Sequence, residues 1–256
     1  MRTPIALITL PLLAFLLSPA LAADQPLPTA EQLLAKVTAS IAKLTSFQAD
    51  GRMTVQGPIV STTTMRLVLE KSEKEGKTLV RGLLTSKTTK KSPDGEDLTN
   101  QVKTILDGTS CWDELRSSGR TGIEVTKYDA QDPEVPKMTD MIAGMLTQDA
   151  MARFSLTTVG EDTIEGRKMY LLDATCSPEY LEKHRMKEYK AKVWVAQDNL
   201  IPCRQVTITQ RADQDQPRVQ TDEFHNVKLN EKIDPALFTY TPPPGATIID
   251  QTKPKP

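Results

Sequence analysis

The sequence has few aromatic residues and no excess of charge of either sign. Phe, Trp and Tyr make up 5% of its 256 residues, and 32 Lys and Arg stand against 33 Asp and Glu, a formal net charge of −1. Proteins that bind nucleic acid usually carry a basic excess and aromatic side chains for stacking. We therefore expect no nucleic-acid partner.

The motifs of common catalytic sites are also missing. The sequence contains no G-x-S-x-G, no H-E-x-x-H, no P-loop and no G-x-G-x-x-G. Its two histidines, His184 and His225, are too few for a typical histidine-based metal site. The sequence thus predicts a protein that is not an enzyme and that uses neither a metal nor a cofactor.

One long apolar run is present, and it lies at the start of the chain. A basic beginning is followed by the apolar stretch Ile5–Leu17 and by an A-x-A pattern at Ala20 and Ala22. This is the layout of a secretory signal peptide. A membrane anchor is the alternative, but a span needs about 20 apolar residues, and Pro11 interrupts this shorter run.

The compartment and the domain organisation follow from that run. We predict a signal peptide over residues 1–22, a single domain over 23–250 and a flexible tail over 251–256. After cleavage the chain is expected to be soluble and, in a bacterium, periplasmic.

The three cysteines, Cys111, Cys176 and Cys203, leave their pairing open. An exported protein can form disulfides, and an odd number of cysteines allows at most one internal bridge. The long spacings, without a C-x-x-C, argue against a zinc site or a redox motif. The sequence therefore predicts either one structural bridge or three buried thiols.

The mature chain opens with a helical pattern. Thr29 and Gln32 have the spacing of a capping box, and Leu34, Val37 and Ile41 recur on one face of a helix that is expected to run to about Ser46. Apolar residues then alternate with period two, which is typical of strands. The predicted strands are Phe47–Val55, Ser61–Lys71, Lys77–Lys87, Gln101–Asp107, Phe154–Val159, Arg167–Thr175, Lys190–Ala196, Cys203–Gln210 and Arg218–Leu229.

The segments between these strands carry loop, turn and helix signals. Ser86–Asn100 is polar and is predicted to be a loop, and Asp107-Gly108 predicts a two-residue hairpin. A second, methionine-rich helix is expected around residues 138–146, and Ser177-Pro178 opens a short polar one. Together the patterns favour an α+β fold of about ten or eleven strands, in which a curled antiparallel sheet wraps around helices.

The methionine-rich stripe has two interpretations. Met is flexible and polarizable, so it fills gaps in cores and also lines adaptable apolar surfaces. Core packing is the ordinary interpretation. The functional one is a helix that lies across the open end of the sheet and moves to admit a lipid tail, which gains about 0.8 kcal/mol per buried CH₂.

Several segments have an order and spacing that resemble those of a known family. Leu44–Gly51 follows the leading helix, and Thr104–Trp112 carries a D-G-x-x-x-W hairpin. Met141–Leu146 then lies in the mid-chain helix, and Lys192–Pro202 combines a strand with an L-x-P step. The closing segments are Phe224–Asn230, Ile233–Phe238 and Pro242–Ala246. Over nearly all of residues 29–250 this arrangement resembles the bacterial outer-membrane lipoprotein carrier (LolA-like) family.

The resemblance implies an unclosed half-barrel whose helices fill its concave side and which binds lipid acyl chains or lipoproteins. It also implies two protein partners, an inner-membrane lipoprotein transporter that supplies the cargo and an outer-membrane acceptor that receives it. Strand alternation and helical spacing predict the inward-facing, lipid-binding residues Met65, Leu67, Leu69, Met141, Ile142, Met145 and Leu146. The chain departs from the family in the loop Ser86–Asn100 and in an insert at Ser177–Tyr189.

Two other functions fit the same elements. One is an envelope sensor or regulator on the same fold, which would bind a signalling protein. The other is an envelope protein whose sheet merely packs its own core around the helices.

Overall fold

A twelve-stranded sheet organises the residues that the computed structural model describes, which are 26–74, 77–92, 94–130, 142, 146 and 154–252. Helix α1 spans Ala30–Ala42, helix α2 spans Pro178–Lys183, and a 3-10 helix covers Pro235–Phe238. The strands are β1 Ser46–Gln56, β2 Ser61–Lys74, β3 Lys77–Lys91, β4 Asp97–Leu106, β5 Ser110–Ser117, β6 Glu124–Asp129, β7 Phe154–Ile164, β8 Arg167–Cys176, β9 Met186–Ala196, β10 Pro202–Arg211, β11 Arg218–Leu229 and β12 Thr247–Asp250.

The sheet has two edges and is therefore unclosed. Its strand order is β12-β6-β5-β4-β3-β2-β1-β11-β10-β9-β8-β7, so β12 and β7 lie at opposite ends. The β1–β11 pair joins an amino-terminal half to a carboxyl-terminal half. The prediction of a purely antiparallel sheet of ten or eleven strands is wrong in one detail, because β12 is an added strand that runs parallel to β6.

Helix α1 begins at the predicted capping box. The Gln32 backbone N–H donates to Thr29 Oγ1 at 3.2 Å, and the Thr29 N–H donates to Gln32 Oε1 at 3.1 Å. The helix ends at Ala42, earlier than predicted. The chain turns there because Thr45 and Ser46 are already tied to the end of β11, through the Asn230 side chain and the Glu231 carbonyl.

The sheet curls around α1, so its two surfaces differ. On the surface that we call the helix face, Leu33, Leu34 and Val37 of α1 pack against β8 and β9 of the carboxyl-terminal half. Ile41 contacts this cluster and also the cluster that Phe47 and Leu69 form in the amino-terminal half. One short helix can reach both halves because the sheet bends toward it.

The opposite surface, which we call the outer face, is partly covered by the segment around the 3-10 helix. Val68, Leu83 and Ile105 lie on three neighbouring strands and pack beneath Ile233 and Phe238. The amino-terminal half therefore has apolar clusters on both of its faces.

The polar loop predicted over Ser86–Asn100 is largely strand. β3 continues to Lys91 and β4 begins at Asp97, which leaves a connection of five residues. Thr and Lys dominate this end of the hairpin, so the apolar alternation that marks a strand is missing. Backbone hydrogen bonds between paired strands hold this end of the hairpin instead. The Thr63 hydroxyl of β2 also lies 2.8 Å from the Thr88 hydroxyl of β3.

The turn at Asp107-Gly108 connects β4 to β5 as predicted, but with three residues rather than two. The carboxylate of Asp107 accepts hydrogen bonds from the backbone N–H groups of Thr109 and Ser110, each at 2.8 Å. Gly108 adopts a φ of 101°, a conformation that favours glycine. The turn has a third residue, Thr109, because the Asp107 side chain binds the backbone N–H groups that follow Gly108.

Candidate functional site

Two of the predicted lipid-binding residues of β2 are buried on the helix face. Leu67 pairs with Ala49 of β1, and Leu69 pairs with Phe47. Met65, the third, lies opposite Gly51 and is half-buried. A Cβ at Gly51 would come within 2.5 Å of Met65 Cγ, so the glycine makes room for the methionine side chain.

The mid-chain stripe is described at two positions, Ile142 and Leu146, and both are buried. Ile142 packs with the cluster of the amino-terminal half, whereas Leu146 packs with α1 and the carboxyl-terminal half. These two side chains, like Ile41, lie at the middle of the helix face. Met141 and Met145 lie outside the described residues, as does the predicted signal peptide.

An apolar crevice opens beside the end of α1. Its volume is about 90 Å³, and its walls are Ile41, Ala42, Leu44, Thr45, Ser46, Phe47, Leu69, Glu70, Lys71, Val80 and Ile142. At its rim the Lys71 ammonium donates to the Ala42 carbonyl at 2.5 Å. Pockets that enclose a small ligand usually measure about 300–1,000 Å³. The crevice therefore has room for the end of an acyl chain but not for a whole one.

The helix face becomes polar along β11, away from this crevice. The Gln220 amide donates to both carboxylate oxygens of Asp222 at 3.0 and 2.9 Å, and Arg218 donates to Gln220 Oε1 at 2.5 Å. Burial raises the pKa of Asp222, against the opposing effects of Gln220 and Arg218. An amphipathic ligand on this face would contact an apolar surface near α1 and polar groups near Asp222.

The three cysteines are free and lie in different environments. Cys111 is buried on the helix face of the amino-terminal half, and Cys203 is buried on the outer face beside Met169 and Trp194. Cys176 is half-buried at the end of β8. Burial raises the pKa of the Cys111 thiol to about 12 and that of Cys176 to about 11. High thiol pKa values of this kind are typical of unreactive cysteines.

The described residues contain neither a candidate metal site nor a candidate membrane-spanning helix. In the described ranges, no group of three or more His, Cys, Asp and Glu side chains is placed to hold a metal ion. Among the helices that the structure describes, none has the length and apolarity needed to cross a bilayer.

Comparison with known proteins gives one family match and no curated relative. Residues 128–251, from the end of β6 through β12, match a family described as "Predicted periplasmic protein (DUF2092)". No curated protein matches the sequence.

Solved structures resemble the chain at low sequence identity. LprF from Mycobacterium bovis is 13% identical with a TM-score of 0.44, and the match covers 80% of this chain and 94% of that one. The lipoprotein LppX from Mycobacterium tuberculosis is 16% identical with a TM-score of 0.38, covering 80% and 98%. The MucA/MucB complex of Pseudomonas aeruginosa matches at 14% identity with a TM-score of 0.40, covering 82% of this chain and 60% of that one. At these values the similarity assigns no function.

Proposed function

We propose that the protein is a periplasmic carrier that binds acyl chains of lipids or lipoproteins on its helix face, without catalysis. The observation that carries this proposal is the apolar crevice beside the end of α1, which continues into the buried residues Leu69 and Ile142. The family description of residues 128–251 supports the compartment.

A whole acyl chain needs more room than the crevice provides. Ile142 and Leu146, the two described side chains of the mid-chain stripe, cover the middle of the helix face. Displacement of these two side chains would join the crevice to the cluster around α1. Moving either side chain from its buried position into water costs about 1.5–3 kcal/mol of free energy. Since each buried CH₂ contributes about 0.8 kcal/mol, some four to eight methylenes offset that loss. The carrier is therefore expected to prefer long chains.

Two matched valines test where the ligand binds. Val80 of β3 is half-buried and lines the crevice, whereas Val206 of β10 is half-buried on the outer face. Val80→Phe fills the crevice, so we expect it to raise the Kd of a fluorescent long-chain fatty acid about tenfold or more. Val206→Phe adds the same bulk elsewhere and is expected to leave the Kd within about twofold.

Equal Kd values for the two variants would refute binding at the crevice. Absence of saturable fatty-acid binding by the unmodified protein, together with no lipid seen by native mass spectrometry, would refute the carrier function itself. In that case recovery of a membrane signalling protein in a pull-down would favour the sensor hypothesis.

A further inference from the structure

A groove of about 550 Å³ crosses the outer face of β2, β3, β4 and β5. Two rows of side chains form it, as the strand register shows. One row is Arg66, Thr85, Lys103 and Glu114, and the other is Thr64, Lys87, Gln101 and Arg116. All lie two or four residues along their strands from Val68, Leu83, Ile105 or Trp112, so they share the outer face with them.

The four cations alternate between the two rows from one strand to the next. Arg66 of β2 and Lys103 of β4 belong to the first row, and Lys87 of β3 and Arg116 of β5 belong to the second. Neighbouring strands lie about 4.8 Å apart and residues two positions apart along a strand about 7 Å apart, so successive Cα atoms are separated by about 8 Å. The Cα atoms of the four cations thus form a zigzag that extends about 14 Å across the strands, between rows about 7 Å apart.

The one acidic residue in the lining, Glu114, is already engaged. Arg116 Nε donates to its Oε1 at 2.7 Å, and the Tyr240 hydroxyl donates to its Oε2 at 2.9 Å. Burial acts to raise the pKa of Glu114, but these hydrogen bonds hold it below its usual value. The carboxylate therefore stays charged and pairs with Arg116.

Three further cations line the groove, and one of them, Lys103, has its Nζ 5.6 Å from the centre of the Tyr240 ring and helps Arg116 to lower the pKa of Glu114. Arg66, Lys87 and Lys103 have no ion-pair partner among the residues that the structure describes. Asp50 lies opposite Arg66 in the register as a neighbouring acidic residue outside the groove lining, and its carboxylate accepts a hydrogen bond from the Asn226 side chain at 2.9 Å. The lining of the groove thus holds four cations and one carboxylate, a local basic excess in a chain with a net charge of −1.

We propose that this groove binds a phosphate-bearing ligand. Arg offers a planar pair of donors and Lys a compact charge, both of which suit phosphate oxygens. Thr64, Thr85 and Gln101 add hydroxyl and amide donors between the cations. Several cations in one groove suit a ligand with more than one phosphate group, either in one soluble molecule or in adjacent lipid headgroups. The proposal concerns the outer face and does not depend on acyl-chain binding.

Two lysines of β3 provide a matched pair for the test. Lys87 lies in the groove, while Lys90 is also exposed but lies three residues further along β3, where alternation places it on the other face. Binding of pyrophosphate is measured by titration calorimetry, and binding of phosphatidylglycerol vesicles by co-sedimentation, with phosphatidylcholine vesicles as the reference. We expect Lys87→Gln to weaken binding about fivefold and Lys90→Gln to change it less than twofold.

The two probes separate the sources of the phosphate. Binding of pyrophosphate alone supports a soluble ligand, and binding of phosphatidylglycerol alone supports a membrane headgroup. Three results would overturn the proposal: no binding of either probe, equal binding to phosphatidylcholine vesicles, or equal effects of Lys87→Gln and Lys90→Gln. Val80→Phe is expected to leave pyrophosphate binding unchanged, which separates this site from the crevice on the helix face.

Discussion

Asp222 is a carboxylate on the helix face whose burial raises its pKa. Its native pKa lies above its unfolded value, so the native state binds more protons, and the stability of the protein falls as the pH rises through the native pKa. Asp222→Asn removes that loss while it keeps an acceptor for Gln220. We therefore expect the variant to be more stable than the unmodified protein at pH 7, and the difference to vanish below the unfolded pKa of about 3.8.

Urea unfolding at several pH values measures this effect. Asp213 is a control of opposite sign, because its hydrogen bond from Arg211 lowers its pKa and its carboxylate form is the stabilised one. Asp213→Asn is expected to be slightly less stable than the unmodified protein at pH 7. Loss of stability in Asp222→Asn at pH 7 would show that the charged carboxylate has a favourable partner on the helix face.

At the scale of elements, α1 depends on its cap and on its packing. A helix of 13 residues is marginal alone, so the Thr29–Gln32 capping box and the burial of Leu33 and Val37 hold it against the sheet. We expect Thr29→Ala to lower the free energy of unfolding by about 1 kcal/mol. Lys36→Ala, on the exposed side of α1, is expected to change it by less than about 0.5 kcal/mol. Equal effects of the two changes would contradict the role of the cap.

Local signals account for the elements that the sequence predicts well. The capping box places the start of α1, Ser177 and Pro178 place α2, and alternation marks most strands within a few residues. β5 is indicated only as the second arm of the Asp107-Gly108 hairpin, and β6 is not among the predicted strands. β12 also escapes detection, because its four exposed residues pair in parallel with β6, more than a hundred residues earlier. No local pattern encodes that pairing.

The two candidate sites differ in how far the sequence reveals them. Alternation along β2 is enough to predict that Leu67 and Leu69 are buried, although it does not predict that Met65 stays half-buried. The basic groove is a different case. Arg66 and Lys103 come together only because β3 sets the register between β2 and β4, and that register is invisible in the sequence.

For the whole molecule, the two faces of one sheet offer different chemistry. The helix face has an apolar crevice beside α1, whereas the outer face carries the basic groove between β2 and β5.

The free energy needed to displace Ile142 and Leu146 sets a minimum chain length for acyl-chain binding. We expect the affinity to be negligible for octanoate and to rise steeply from decanoate to palmitate in competition with a fluorescent fatty acid. Equal affinity along this series would contradict displacement.

The proposed acyl-chain site is the crevice beside α1. Its most direct test is photolabelling with a long-chain fatty acid that carries a terminal diazirine, followed by peptide mapping. We expect saturable labelling, competed by palmitate, on the peptides that contain the crevice residues Leu44, Phe47, Leu69 or Val80. Labelling that palmitate does not reduce, or that falls on outer-face residues such as Trp194 and Val206, would contradict it.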